Sequence, residues 1–512
     1  MLLPLLFSAF AAPVTVDLSG TVPSRASPLV GVIAGPTSPD SPVDLTQKFH
    51  EFGIRSVRNN DFHDDRLDME GIFNCGGSTY PSWTGCDAAD DRFYNWAPSD
   101  AMMKTFKDGA LEPMLRLGGE SQNAGRNHDF KGPQDAAQER AWITAATKVA
   151  TRYRAQYTYL DIWTEFPGPQ FWDRDQPSFY SFWADAYRAV KAAVPEARVG
   201  GPGFNVFATK KMLMGERRLL VVEFLTELHA KGVRPDWIGW HIFSNDPQEY
   251  ADAGKAYRRL LDGTGEYSRV PWAADGWFKG VELVLDAFGT TDRDRQEPLD
   301  AAVVYELHHG ARGAAVLGAA LAAIAETDTT RAYYYRANDP TAVPEGAARR
   351  GGAGAPAAGH RGPGGPGGRG GGSRGGGRGG GGGGGGGGEG GGGGDSGFTG
   401  LFDPTGAPKK AAHAFRLWNR FTAAYPTELA AAAVTGGARV VYAKGTAGTA
   451  LYIANPTDAE VSLDTKGPLT LSKAAGASLW LVDATHDAPA AEPLPAGALK
   501  LPAWSVALVT LP

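Results

Sequence analysis

The stretch Tyr157–Trp172, YTYLDIWTEFPGPQFW, decides how this chain is read. An apolar, aromatic-rich run with β propensity climbs to Trp163, presents one carboxylate at Glu165, and stops at Phe166-Pro167-Gly168. A carboxylate at the end of a buried strand is costly unless it has a partner or a chemical task. Trp163, Phe166, Phe171 and Trp172 crowd it on both sides. Aromatic faces stack on the C–H faces of pyranose rings, and a carboxylic acid can protonate a glycosidic oxygen. The combination points to sugar chemistry.

Outward from this strand, apolar runs alternate with amphipathic ones along most of the chain. Strands are predicted at Leu29–Ala34, Ile54–Asn60, Glu112–Gly119, Tyr157–Glu165, Ala197–Phe204, Trp237–Phe243, Val281–Phe288 and Arg331–Arg336. Helices are predicted at Asp44–Phe52, Asp100–Asp108, Gln138–Arg154, Pro177–Val194, Arg217–Lys231, Gln248–Leu261 and Lys409–Thr422, with Pro298–Glu326 forming one long helix or two. Eight strands, each followed by a helix, is the count of an α/β (β/α)8 TIM barrel. Arg269–Asp275 competes with Val281–Phe288 for the seventh strand.

Residues 341–397 interrupt the pattern with a run of Gly, scattered Arg, Pro and Ala. Such a run cannot bury enough apolar area to offset its ordering entropy, so disorder is expected. It falls between the eighth strand and helix, in a loop on the barrel face that carries active sites. A Gly/Arg segment can bind RNA, but the rest of the chain is acidic, and a tolerated low-complexity expansion is the simpler reading. From residue 425 to 512 short strands are punctuated by Gly, Pro, Asn and Asp. They are expected at Ala438–Tyr442, Ala450–Ala454, Val461–Asp464, Leu469–Ser472, Ser478–Val482 and Val506–Leu511, as an antiparallel β-sandwich to which Val14–Leu18 adds a strand.

The chain has 512 residues and a net charge of −6. That length calls for a large domain plus an accessory one, and the charge gives no support to a nucleic-acid partner for the folded part. Residues 1–12, MLLPLLFSAFAA, read as a signal peptide without a positive n-region, so a secreted protein is expected, with the barrel domain spanning 13–424. No apolar run reaches the ~18 residues that span a bilayer. The two cysteines, Cys75 and Cys86, lie in one Gly/Ser/Thr/Trp-rich loop, and in a secreted protein they are expected to form a disulfide. No metal or cofactor motif is present, and none is expected.

In a TIM barrel the residues at the C-terminal ends of the strands build the site. Here they are Arg58 to Asp61, Arg116, Glu120, Trp163 to Glu165, Gly200-Gly201-Pro202, Trp240 and His241, Asp286, and Tyr335 with Arg336. Each has a structural alternative: Glu165 as a carboxylate paired with an Arg, His241 as a core histidine, Arg58 and Arg116 as neutralisers of carboxylates. The readings taken forward are Glu165 and Asp286 as catalytic, and Asp61, Trp163, Thr164, Trp240, His241 and Tyr335 as substrate-binding.

As an ensemble these residues resemble glycoside hydrolase family 39, which holds β-xylosidases and α-L-iduronidases. The cues are Phe52-Gly53-Ile54-Arg55 with Arg58 and Asp61, Asn95-Trp96 with Asp100, Pro113 to Gly118, Ile162-Trp163-Thr164-Glu165 with Phe171-Trp172, Val199 to Pro202, Trp240-His241 with Asp246-Pro247, His309 to Gly313, and Gly400 to Asp403 with Pro408-Lys409-Lys410. The resemblance covers most of Pro28–Phe421. It implies a retaining hydrolase with the acid/base after strand 4, at Glu165, and a Glu nucleophile after strand 7, about 5–5.5 Å away. Two departures matter. The family has Asn and Pro around its acid/base, where this chain has Thr164 and Phe166. On strand 7 the family reads roughly Leu-Thr-Glu-Trp-Asn; here ELVLDAFGTT puts Ala287 in the nucleophile's place. Asp286 is next to it but needs a bulge to point inward, because strand side chains alternate. Asp275 and Glu120 are the other candidates. The sequence therefore leaves two expectations: a retaining glycosidase acting on a glycoside or saccharide, or a carbohydrate-binding relative that has lost its nucleophile.

Overall fold

The computed structural model describes residues 14–17, 26–37, 43–59, 69–73, 75, 86–118, 122–123, 126–129, 132–168, 171–172, 174–294, 297–340, 398–426, 429–435, 437–446, 448–466, 471, 476–495 and 497–511. The signal-like leader, Asp61, Glu120 and the Gly/Arg segment lie outside them.

Eight parallel strands close into a barrel. They are β1 (Leu29–Ile33), β2 (Ser56–Arg58), β3 (Glu112–Arg116), β4 (Tyr159–Asp161), β5 (Arg198–Gly200), β6 (Trp237–Phe243), β7 (Glu282–Gly289) and β8 (Thr329–Tyr334). Each is followed by a helix: α1 (Thr46–Glu51), α2 (Ala97–Asp108), α3 (Ala136–Tyr153), α4 (Gln176–Ala193), α5 (Leu220–Ala230), α6 (Pro247–Asp262), α7 (Ala311–Ala325) and α8 (Lys410–Ala424). Asp135, Asp175 and Asp246 start α3, α4 and α6 by accepting first-turn amide N–H groups. Gly263, at φ +63°, ends α6 in the left-handed conformation that glycine adopts without strain.

The fold class read from the sequence holds. The rival for strand 7 contains a 3-10 turn at Pro271–Ala273 instead. The Pro298–Glu326 region divides into Ala301–His309 and α7, separated by Gly310. Cys75 and Cys86 are disulfide-bonded.

Behind the barrel, a six-stranded antiparallel sheet runs in the order Leu429–Thr435, Ala438–Gly445, Gly448–Asn455, Ser505–Leu511, Ser478–Val482, Glu492–Pro493. A three-stranded sheet covers its far face, built from Val14–Asp17, Val461–Lys466 and Leu499–Leu501. Val14–Asp17 pairs in parallel with Val461–Lys466, so the N-terminal strand joins the sandwich as its sequence led one to expect. Val440, Leu451, Ile453, Leu463, Leu501 and Val509 fill the space between the sheets. The alanine-rich Leu429–Thr435 and the short Leu499–Leu501 carry little strand signal of their own, and pairing to a neighbour makes them strands. Of the expected Leu469–Ser472 strand, only Leu471 is among the described residues.

The near face of the large sheet rests on α7 and α8. The Tyr452 ring lies 5.0 Å from Trp418 and 5.9 Å from Phe421. Gly318 on α7 lets the helix approach the sheet: a Cβ there would stand 2.6 Å from Val506 Cγ2 and 3.1 Å from Tyr452 Oη.

Residues 341–397 leave and rejoin the fold at one clasp. Asp339 accepts from the Gly400 N–H at 2.7 Å and pairs with Lys409 Nζ at 2.5 Å. Lys409 Nζ also donates to Phe398 O at 2.8 Å, and Tyr334 Oη to Thr399 O at 3.0 Å.

In an open helix Gly→Ala stabilises by about 1 kcal/mol. At Gly318 the clash reverses the sign: Gly318→Ala is expected to destabilise by about 1–3 kcal/mol and lower the urea midpoint. A raised midpoint would show that the helix and sheet are not in tight contact there.

Candidate active site

Four strands converge at the C-terminal end of the barrel. β2 ends in Arg58, whose guanidinium is fully buried. Its Nη2 donates to Asp161 Oδ2 at the end of β4 (2.7 Å) and to Thr164 Oγ1 (2.9 Å). It also stands 3.3 Å from Asp286 Oδ2 on β7. A buried guanidinium is tolerated because carboxylates neutralise it there.

Asp286 arrives through a bulge. Leu285 pairs with Trp240 and Ala287 with His241, leaving Asp286 without a counterpart on β6. The register also slips on the β8 side, between Leu285 and Phe288. Two residues thus face one, and Asp286 turns into the barrel. Two glycines make room for it. A Cβ on Gly239 would lie 2.9 Å from both Asp286 carboxylate oxygens, and one on Gly203 would lie 2.6 Å from Asp286 Oδ2 and 3.0 Å from His241 Nε2.

His241 joins the two catalytic candidates. Its Nδ1 is hydrogen-bonded to Glu165 Oε1, and its Nε2 stands 3.4 Å from Asp286 Oδ2. Burial disfavours the imidazolium, but the Asp286 and Glu165 carboxylates outweigh it and push His241 up to about 9. Burial raises Asp161 above the usual carboxylate range, and the Arg58 charge pulls it part of the way back. Glu165 sits at φ +57°, in the left-handed region, at the start of a turn closed by the Gly168 N–H on its carbonyl (2.6 Å). A non-glycine residue held there is strained, as functional residues often are. Its Oε2 is buried without a hydrogen-bond partner among the described residues. Glu165 is 8 % exposed, against 0 % for Arg58 and Asp286 and 1 % for His241, so it is the member of this group that reaches the barrel mouth.

The other sequence candidates separate. Trp163 is fully buried among Trp142, Trp172, Phe179 and Phe182, and Trp240 is fully buried with its ring on Tyr257 of α6. Both rings lie in the layer between barrel and helices, which corrects their expected role as sugar platforms. For Trp240 the reason is alternation: its neighbour His241 faces the interior, so it faces out. Thr164 is engaged with Arg58 rather than open to a ligand. Tyr335 is half-buried after β8, edge-on to Phe243 at 5.9 Å. Asp275 precedes β7, at the opposite end of the barrel, and pairs with His229 near the end of α5 at 2.8 Å, which removes it as a nucleophile. Asp286 turns inward as its bulge requires, but it comes to rest in the Arg58 pair beneath His241. Asp161 escaped the sequence reading altogether; its signal was an acid inside an otherwise apolar run.

The chain is a closed (β/α)8 barrel with a carboxylate after its fourth strand and a β-sandwich packed behind it. Its fold is similar to that of solved glycosidases, family 39 enzymes among them. A glucosidase from Croceicoccus marinus superposes with a TM-score of 0.62 at 16 % identity, over 97 % of this chain and 98 % of its own. A GH39 β-xylosidase from Caulobacter crescentus gives 0.59 at 16 % identity, over 98 % and 100 %. The GH39 enzyme from Xanthomonas axonopodis pv. citri gives 0.59 at 16 % identity, over 99 % of each chain. No protein-family model and no curated protein matches the sequence.

Arg58→Met leaves Asp161 and Asp286 buried without their counter-charge. A loss of about 3–5 kcal/mol is expected, read from denaturant midpoints. For His241, the folded value of about 9 lies above the ordinary 6.5. The stability from its ion pairs is therefore complete below about pH 6.5 and drains away as pH climbs through about 9. Denaturant titrations from pH 6 to 10 are expected to show this fall in the parent protein and not in His241→Gln.

Proposed function

We propose that this protein hydrolyses O-glycosidic bonds by a retaining, β-xylosidase-like route, with Glu165 as acid/base and Asp286 as nucleophile. The observation that carries the reading is the pair of carboxylates brought to the two nitrogens of one imidazole at the C-terminal end of the barrel. In the first step the proton held between Glu165 and the His241 imidazolium passes through the Glu165 carboxyl group to the leaving glycosidic oxygen while Asp286 attacks the anomeric carbon, giving a glycosyl ester and a free alcohol. In the second, Glu165 takes a proton from water, whose oxygen displaces Asp286. His241 stands between the two carboxylates. The named activities of the xylosidase and glucosidase neighbours support a saccharide substrate. The leader at residues 1–12 and the Cys75–Cys86 pair support secretion.

A second reading, carbohydrate binding without turnover, is favoured by one observation: Ala287 holds the register position opposite His241, while Asp286 is fully buried. Aryl β-xylosides and β-glucosides separate the two. If the first reading holds, Glu165→Gln is expected to lose about 10²–10⁴-fold on unactivated glycosides. Glu165→Ala should regain part of its turnover of activated substrates with azide, and Asp286→Asn should fall to background. The first-formed sugar, followed by NMR, should keep its anomeric configuration. Sugar binding with no turnover by the parent protein, unchanged by Glu165→Gln, would establish the second reading. An active Asp286→Asn variant would remove Asp286 as the nucleophile.

A further inference from the structure

Asp161 has no part in the chemistry proposed above, yet it is one of two carboxylates that meet at a single nitrogen. Arg58 Nη2 donates to Asp161 Oδ2 at 2.7 Å and to Thr164 Oγ1 at 2.9 Å, and it stands 3.3 Å from Asp286 Oδ2. Nε and Nη1 of the same guanidinium have no hydrogen-bond partner among the described residues. One corner of the cation thus serves three acceptors, and Asp161 has the shortest contact. Asp286 accepts no hydrogen bond among the described residues, and two cations hold it: Arg58 at 3.3 Å and His241 at 3.4 Å.

Asp161 is fully buried at the end of β4, and its Oδ1 has no hydrogen-bond partner among the described residues. That oxygen faces the Gly201 backbone, where a Cβ would lie 2.5 Å away. The charged groups around it are Arg58 of β2, Arg116 of β3, which is in direct register with it, and Asp286 of β7. Its register partner on β5 is the uncharged Gly200. Burial and the Asp286 charge disfavour the ionised carboxylate, while Arg58 and Arg116 favour it, and Asp161 is pushed up to about 7. Above that pH it is an anion that grips Arg58. Below it the carboxyl is neutral, and the guanidinium charge is left to Asp286.

We propose that Asp161 is a positioning residue for the nucleophile: by drawing the shared guanidinium nitrogen to itself, it keeps Arg58 from clamping Asp286. This rests on the assignment of Asp286 above and adds the group that governs its reactivity. An anion stabilised by an unshared cation gives up that stabilisation as it bonds to the anomeric carbon, so attack is slower when Asp161 is uncharged.

The test is the rate at which the full chain is labelled by dinitrophenyl 2-deoxy-2-fluoro-β-xyloside and by the matching β-glucoside. An Asp286 carboxylate oxygen bonds to the anomeric carbon, and dinitrophenolate leaves with the bonding pair. No proton donor is needed, so Glu165 does not enter the measurement. Absorbance reads the release, and peptide mapping locates the label. Between about pH 5.5 and 8 His241, at about 9, keeps its charge. Across that window labelling of the parent protein is expected to rise roughly 10-fold, with a midpoint near 7. Asp161→Asn keeps the side chain's size without its charge, and it should label at the parent's slow acid-side rate throughout, with the probe concentration for half-maximal rate unchanged. Labelling at Asp286 with no step near 7 in the parent, or with the step retained in Asp161→Asn, overturns the inference and spares the nucleophile. No label at Asp286 from either probe overturns the nucleophile assignment and the inference with it. Thermal melts report whether Asp161→Asn is folded. If it is not, carbon-13 NMR of the parent enriched at its aspartate carboxyl carbons decides: a carboxyl that titrates in step with the labelling rate supports the inference, and its absence overturns it.

Discussion

The Arg58 guanidinium is the point on which the barrel mouth is organised. A fully buried cation is stable only where anions and acceptors surround it, and Arg58 gathers Asp161, Asp286 and Thr164 from two other strands. Those contacts set how deep β2, β4 and β7 sit against one another. They also fix Asp286, which faces His241, which in turn holds Glu165. Glu165 and His241 at the mouth are thus the outer layer of a charge cluster whose inner layer is Arg58, Asp161 and Asp286. The same group that makes Asp286 stable in the barrel also limits its freedom to meet a ligand.

Room for this cluster comes from what is missing in the covalent structure. The glycines at 203 and 239 leave a space that any Cβ would close against Asp286. The bulge on β7 then spends one residue of register to rotate the carboxylate into that space. Around the cluster the helices seal the outside with tryptophans, and the sandwich braces the far side of the barrel through Tyr452, Trp418 and Gly318. The clasp of Asp339, Gly400 and Lys409 ties the end of β8 to the start of α8.

Much of this was legible in the chain. Alternating strand and helix periodicity gave all eight barrel strands, because burial of a parallel strand on both faces demands a continuous apolar run. Glu165 stood out because a lone carboxylate after such a run is expensive. Other elements were not legible. Leu429–Thr435 is mostly alanine, and it is a strand because Ala438–Gly445 offers it a hydrogen-bonding edge. Trp240 sits in the sequence beside His241 yet faces the helices, since neighbours along a strand point to opposite sides, and Trp163, just past the end of β4, packs against aromatic rings of α3 and α4.

The sequence by itself determined the barrel, the sandwich and the strand ends from which a site is built, because hydrophobic periodicity and turn chemistry are local properties. Only the tertiary structure decided which of those ends meet. Arg58, Asp161, Thr164, Glu165, His241 and Asp286 are spread over more than two hundred residues of chain. Their union depends on barrel closure and on a one-residue slip in β7, and register between strands distant in sequence leaves no mark on either strand alone.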